Sequence, residues 1–138
     1  MLPKTKRLTK KRDFSKLGTQ GRSAYGAHMT MRVRQIKAGN GTTVIEPRVA
    51  FITSTKVMKK AVDRNRAKRR MREVVRSVWK DIPNNVHVLF ILQPAVKDLP
   101  YAELVAEVKH LLAKIPSTLL KPARPSPRAR KVAEKRKA

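Results

Sequence analysis

The stretch Ala61-Val-Asp-Arg-Asn-Arg-Ala-Lys-Arg-Arg-Met-Arg-Glu73 carries two patterns at once, and an amphipathic helix docked on a core satisfies both. Ala67, Met71, Val74, Val75 and Val78 recur at intervals of three and four, which sets them along one stripe of an α-helix. At about 100° per residue, Asn65, Arg66, Lys68, Arg69, Arg70, Arg72 and Arg76 fan across the opposite half. The helix is predicted from about Lys59 to Trp79. A solvated face laced with salt bridges would alternate in sign, yet its only acids are Asp63 and Glu73. Like charges four apart (Arg64 with Lys68, Lys68 with Arg72, Arg66 with Arg70) each cost a few tenths of a kcal/mol. A self-repelling face suits a polyanion, and the pattern reads as a nucleic-acid surface.

Composition narrows the class. The chain has 138 residues, 34 Lys plus Arg against 9 Asp plus Glu, and a formal net charge of +25. The length suits one domain with one core, and a hydrophobic fraction of 41% is too high for a wholly disordered polycation. Basic charge also serves membrane surfaces, but such a helix needs bulky apolar residues toward lipid, and this stripe is Ala, Met and Val. No apolar run approaches a membrane span, and Met1-Leu-Pro-Lys-Thr-Lys6 lacks a signal-peptide apolar region. With no cysteine there is neither a disulfide framework nor a Cys-based zinc site, so the expected location is the cytosol.

Four regions follow along the chain. To about Gly21 it is basic; Thr9 is a candidate N-cap, and Leu8 and Phe14 are candidate apolar contacts of a short helix ending at Gly18. Met29-Thr-Met-Arg-Val-Arg34 alternates as a half-buried strand does, and Asn40-Gly41 is a hairpin signal. Arg48-Val-Ala-Phe-Ile-Thr53 is its expected partner strand; Thr43 to Ile45 is a further candidate segment, interrupted by Pro47. After the basic helix, Val86 to Leu92 reads as a strand buried on both faces. Pro100 opens a last helix with the stripe Leu104, Val108, Leu111, Leu112 and Ile115. The expected domain is 1–115, and 116–138, with four prolines and eight basic residues against one acid, is expected to be a disordered basic tail. This order predicts an α+β sandwich whose open sheet face carries Thr30, Arg32 and Arg34.

Catalytic chemistry is not evident. His87 lies within an apolar strand and reads as a hydrogen-bonded structural residue, while His28 and His110 have no acidic partner at a recognisable spacing. No Asp-x-Asp pair suited to Mg²⁺ occurs, nor a glycine pattern that cradles phosphate. Six aromatics are too few for extensive base stacking; Phe14 is the best stacking candidate, with a core role equally open, and Trp79 reads as core. The residues thus predict binding without chemistry. A structural ribosomal protein or RNA chaperone shares these features. A sequence-specific DNA binder would need a dimer seam, and a free-standing nuclease would need catalytic groups.

Arg64-Asn-Arg-Ala-Lys-Arg-Arg-Met-Arg-Glu73 closely resembles the signature of the bacterial ribonuclease P protein subunit. Leu2-Pro3, Arg7-Leu8, Asp13-Phe14, Arg48-Val49, Ser54-x-Lys56 and Tyr101-Ala-Glu-Leu104 agree in order, so the resemblance spans about residues 2 to 115. It implies an αβββαβα sandwich, similar to ribosomal protein S5 domain 2, with a left-handed βαβ crossover. It implies a catalytic RNA partner, ribonuclease P RNA, that removes the 5′ leader of precursor tRNA with its own Mg²⁺. The protein would be a monomeric, non-catalytic subunit that binds no cofactor itself. Arg64, Asn65, Arg66, Lys68, Arg69 and Arg72 match ribozyme-binding positions. Phe14 and Lys56 match the leader cleft, to which Arg32 and Arg34 are added from the sheet face. The chain departs from the family at Gly18, where a second aromatic is usual, and at Thr55 and Met58, where the loop normally has Lys and Gly.

Overall fold

The computed structural model describes residues 7–8, 11–36, 46–53 and 58–120. Its elements in chain order are α1 (Lys11–Gln20), β1 (Arg22–Tyr25), β2 (Met29–Gln35), β3 (Arg48–Thr53), α2 (Ala61–Ser77), β4 (Val86–Leu92), α3 (Tyr101–Ala113) and α4 (Ile115–Leu119). Short 3-10 turns at Trp79–Asp81 and Pro94–Lys97 flank β4. This is the expected α+β order with one added short helix.

The four strands lie in the order β1-β2-β4-β3. β4 occupies the interior, and its side chains are buried on both faces of the sheet except Ile91, as suits a strand covered from both sides. It pairs antiparallel with β2 and parallel with β3, so β3, α2 and β4 form the crossover unit. The expected pairing of β2 with β3 is therefore corrected: β4 is inserted between them. β1 had no periodic signal, since Arg22-Ser-Ala-Tyr25 buries only Ala24, yet it completes the sheet against β2.

Alternation sorts the strands' side chains to two faces. Met29, Met31, Val33, Val49, Val88, Phe90 and Leu92 join Met71, Val74 and Val75 of α2 and Leu104, Val108 and Leu111 of α3 in the main core. Every residue of the two predicted helical stripes is buried. Phe51 stacks on Phe90 with ring centroids 5.9 Å apart. The other face carries a much smaller cluster, Leu8, Leu17, Ala50 and Leu89, with Phe14 of α1 packed against it.

Three boundaries differ from expectation. α1 continues through Gly18 to Gln20. α2 starts at Ala61 and ends at Ser77, and Trp79 packs half-buried on the core from the following turn. Residue 115 does not end the fold: α4 follows, with Thr118 only 1% exposed. Thr9, the Asn40-Gly41 turn, Thr43 to Ile45 and the chain beyond 120 lie outside the described residues.

Candidate nucleic-acid interface

α2 buries Ala67, Met71, Val74 and Val75 and turns its cations outward. Not all of them are spare. Arg64 donates from Nη1 to the carbonyls of Met58 and Lys59 at 2.9 Å each, tying the approach segment to the first turn. Arg70 donates to the carbonyls of Val96 (3.0 Å) and Leu99, and Lys97 reaches Asp63 at 3.3 Å. These bonds clamp the Pro94–Lys97 turn onto α2, a structural use of charge that spacing within the helix could not show. Asn65, Arg66 and Arg69 are exposed, and Lys68 and Arg72 are half-buried.

Lys68 and Arg72 converge with residues from three other segments. They line a cavity of about 150 Å³ together with Arg7, Leu8, Phe14, Val49, Ala50 and Phe51. Arg7 is held there by a bridge to Val49, and the Leu8 amide donates to the Val49 carbonyl at 3.0 Å. The Nε of Arg7 is buried with no hydrogen-bond partner. The lining thus combines aliphatic side chains and two aromatic rings, Phe14 and Phe51, with three cations, Arg7, Lys68 and Arg72, a mixture of apolar and cationic groups suited to a nucleic-acid ligand. Arg7 was absent from the predicted site because only the fold brings residue 7 to the β3 edge. Phe14 packs against the small core, one of its two expected roles, and also lines the cavity.

The open sheet face is organised in rows set by register. Arg34, His87 and Arg48 are directly opposed across β2, β4 and β3. Arg32, Leu89 and Ala50 form the next row, with Ser23 opposite Arg32. Tyr25, Thr30, Ile91 and Ile52 form the third, and there Tyr25 is 75% exposed and both isoleucines are exposed. α1 packs over the Leu89 row and leaves the Tyr25 row open. This exposed strip crosses all four strands, and alternation alone did not single out Tyr25, Ile52 or Ile91.

Arg32, expected to face a ligand, is instead 5% exposed. Its Nε and Nη2 donate to the Leu17 carbonyl at 3.0 and 2.8 Å. Nη2 also reaches Gly18 O (3.3 Å) and Gly21 O (3.0 Å), and Nη1 donates to Ser23 Oγ at 2.8 Å. Burial lowers the pKa of this guanidinium, and Tyr25 opposes that shift. The role of Arg32 is therefore corrected from phosphate contact to structural tie. It also explains why Gly18 does not stop α1: the last carbonyls of the helix have a cationic partner from the sheet. Arg34 is half-exposed, with Nε on Gln20 Oε1 at 3.1 Å, and Lys56 lies outside the described residues.

His87 is buried as expected, but its Nδ1 has no hydrogen-bond partner. Desolvation holds its pKa below the ordinary value; Asp13 pulls it up, and Arg34 and Arg48 push it further down. His28 differs from expectation in the other direction. Its amide and Nδ1 meet the Glu107 carboxylate of α3 at 2.7 and 3.1 Å, a pairing across 79 residues that no local spacing reveals. Among the described residues no three His, Asp or Glu side chains come together to hold a metal ion. No helix among them is long and apolar enough to cross a membrane.

Comparison with known proteins bears on this arrangement. The family model described as Ribonuclease P matches residues 2–116. The chain is 36% identical over 110 residues to the ribonuclease P protein component of Symbiobacterium thermophilum, covering 80% of this chain and 90% of that protein. To the corresponding component of a Synechococcus strain it is 34% identical over 114 residues, covering 83% and 84%. Among solved structures, the RNase P protein of Staphylococcus aureus superposes with a TM-score of 0.65 at 23% identity, covering 83% of this chain and 97% of that one. The RNase P protein of Thermotoga maritima gives 0.66 at 22% identity, covering 79% and 96%, and shares the same fold.

Proposed function

The chain belongs to the ribonuclease P protein family, and on that premise we propose that α2, the cavity beside it and the open sheet face form one continuous RNA surface. It is the protein subunit that works with ribonuclease P RNA in tRNA processing, within an endoribonuclease holoenzyme. The finer assignment divides that surface. Asn65, Arg66 and Arg69, exposed on α2, contact the ribozyme RNA, with Arg64 contributing what its backbone bonds leave free. The 5′ leader of precursor tRNA runs from the cavity of Phe14, Lys68 and Arg72 across the strip Tyr25, Thr30, Ile91 and Ile52, with Arg34 on the far side of α1.

The observation that carries this reading is the cavity itself. It joins Phe14, a leader residue by resemblance, to Lys68 and Arg72, ribozyme residues by resemblance, within one space of about 150 Å³. A leader leaving the ribozyme's cleavage site along α2 would meet that space next. Recognition there rests on cations, on the rings of Phe14 and Phe51 in the cavity and on the exposed ring of Tyr25 in the strip, since residue 18 is glycine and supplies no second ring on α1. We place Mg²⁺ on the RNA, the protein as a monomer within the ribonucleoprotein, and the particle in the cytoplasm. Residues 121–138, basic and rich in proline, add nonspecific phosphate contacts.

The test is precursor-tRNA cleavage at low Mg²⁺ by the protein, by the RNA and by both. Cleavage only when both are present is expected. Robust cleavage by RNA-free protein would overturn the division of labour.

A further inference from the structure

We propose that Arg32 is a positioning residue for RNA recognition: its guanidinium, planted in the middle of β2, fixes α1 on the sheet and so sets where the RNA-facing side of α1 stands. The proposal rests on the reading of Phe14 as a leader contact.

Among the described residues, α1 has besides this clamp a small apolar footing and the exposed bond of Arg34 Nε to Gln20 Oε1. Of its ten residues only Leu17 is fully buried, and the cluster beneath it consists of Leu8, Ala50 and Leu89 besides Leu17 itself. Its last turn carries no basic side chain of its own, so the negative end of the helix is uncompensated from within. Arg32 supplies that charge from the sheet. Three of its nitrogens make five hydrogen bonds, four to carbonyls of Leu17, Gly18 and Gly21 and one to Ser23 Oγ. The planar fork thus grips the end of α1, the turn after it and the neighbouring strand in one geometry, which a lysine ammonium cannot reproduce. The turn is fitted around the fork, because a Cβ on Gly21 would lie 3.1 Å from Arg32 Nη2 and 2.3 Å from Leu17 O. Phe14 sits three residues before Leu17, about one helical turn from the clamp. Letting go of the clamp lets α1 shift on its small apolar footing and carries the Phe14 ring away from Lys68 and Arg72.

The experiment uses the full chain reconstituted with ribonuclease P RNA, in wild type, Arg32→Met, Arg32→Lys, Ser23→Ala and Phe14→Ala. Amide hydrogen exchange reports on α1 against β4 and α3. Cleavage of precursors bearing a long leader and a one-nucleotide leader gives the long-leader advantage in kcat/KM. For Arg32→Met we expect exchange in residues 14–21 to rise about tenfold or more while β4 and α3 stay protected. The long-leader advantage should fall about tenfold, with the short-leader reaction and affinity for the ribozyme RNA unchanged. Arg32→Lys should recover only part of it. A loosened α1 with the advantage intact would overturn the proposal, as would an equal loss on both substrates or full rescue by lysine. If Arg32→Met fails to fold, Ser23→Ala, which removes only the 2.8 Å bond, decides: a two- to threefold fall in the advantage supports the proposal and no change overturns it. Should Phe14→Ala leave the advantage untouched while Arg32→Met removes it, the leader role of Phe14 fails and the positioning of α1 stands.

Discussion

The two faces of the one sheet are built on different physics. On the closed face, Met29, Met31, Val33, Val88 and Phe90 meet the apolar stripes of α2 and α3, and the residues are interchangeable in kind if volume and patterning are kept. On the open face, few apolar side chains are available, and α1 is seated by the polar fork of Arg32 over Leu17, Ala50 and Leu89. Non-directional burial supplies stability on one side; directed hydrogen bonds supply geometry on the other. The same contrast separates the two helices of the closed face. α2 has seven basic residues against two acidic, whereas α3 has one lysine against two glutamates. Both are seated by buried apolar stripes, so apart from Arg64 and Arg70, which tie neighbouring backbone to the helix, the cations of α2 are not what packing requires.

The largest effect that would break this comparison belongs to the closed face. Met71 is fully buried at the centre of the α2 stripe, and Met71→Asp places an unpaired carboxylate there. Denaturant unfolding should show a loss of roughly 3–5 kcal/mol, with the whole domain melting in one transition. A smaller but sharper loss is expected on the open face from Gly21→Ala. The added Cβ would lie 2.3 Å from a backbone carbonyl, so the end of α1 must move away from Arg32. A cost of about 1–3 kcal/mol is expected. Amide exchange should localise it to α1; an even distribution over β4 and α3 would show that the two faces are coupled more tightly than their packing suggests.

How far each face was legible follows from the same division. The core stripes Ala67-Met71-Val74-Val75-Val78 and Leu104-Val108-Leu111-Leu112-Ile115 were readable because periodicity reports burial directly, and burial is what the closed face does. The order of the strands was not: Arg48-Val49 and Met29-Thr30 each look like half of a hairpin, and only the two-sided apolarity of β4 indicates that it belongs between them. The open face resisted further. Arg32, Arg34 and Thr30 alternate identically, and nothing local says that one guanidinium will be consumed by carbonyls 11 to 15 residues upstream. Arg70 on α2 is a parallel case, since its partners Val96 and Leu99 belong to a turn beyond β4. Alternation located the faces, and tertiary contacts then decided which cations remain for a ligand.

A modest pH effect should again come from the open face. His87 is 7% exposed on the face that α1 covers, and its desolvated ring, between Arg34 and Arg48 with Asp13 opposing them, titrates below the usual 6.5. The unfolded chain therefore takes up a proton before the folded one does. Stability from this group is fully present above pH of about 6.5 and is lost as pH falls through the lower folded-state value. His87→Phe should flatten that limb of the stability profile relative to wild type. An unchanged difference between the two proteins from pH 7.5 to 5 would mean that the imidazole titrates normally.

The smallest stability effect should come from the cationic face of α2, where the binding effect is clearest. Arg69 is exposed, and its helix is held by Met71 and Val74 on the other side. Arg69→Ala should change unfolding free energy by no more than about 0.5 kcal/mol, alanine being if anything the better helix former. If the guanidinium neutralises a phosphate, its loss flattens the log-log dependence of RNA affinity on salt by about 0.7 to 0.9. Arg70→Ala provides the counterweight. Arg70 is engaged with the carbonyls of Val96 and Leu99, so its removal should cost stability and leave the salt slope nearly as it was. Opposite responses from two adjacent arginines would establish that the cations of this helix divide between holding the fold and holding RNA. Equal slopes for wild type and Arg69→Ala would show that the exposed guanidinium is merely solvated, and that the contrast between the helices is one of solubility.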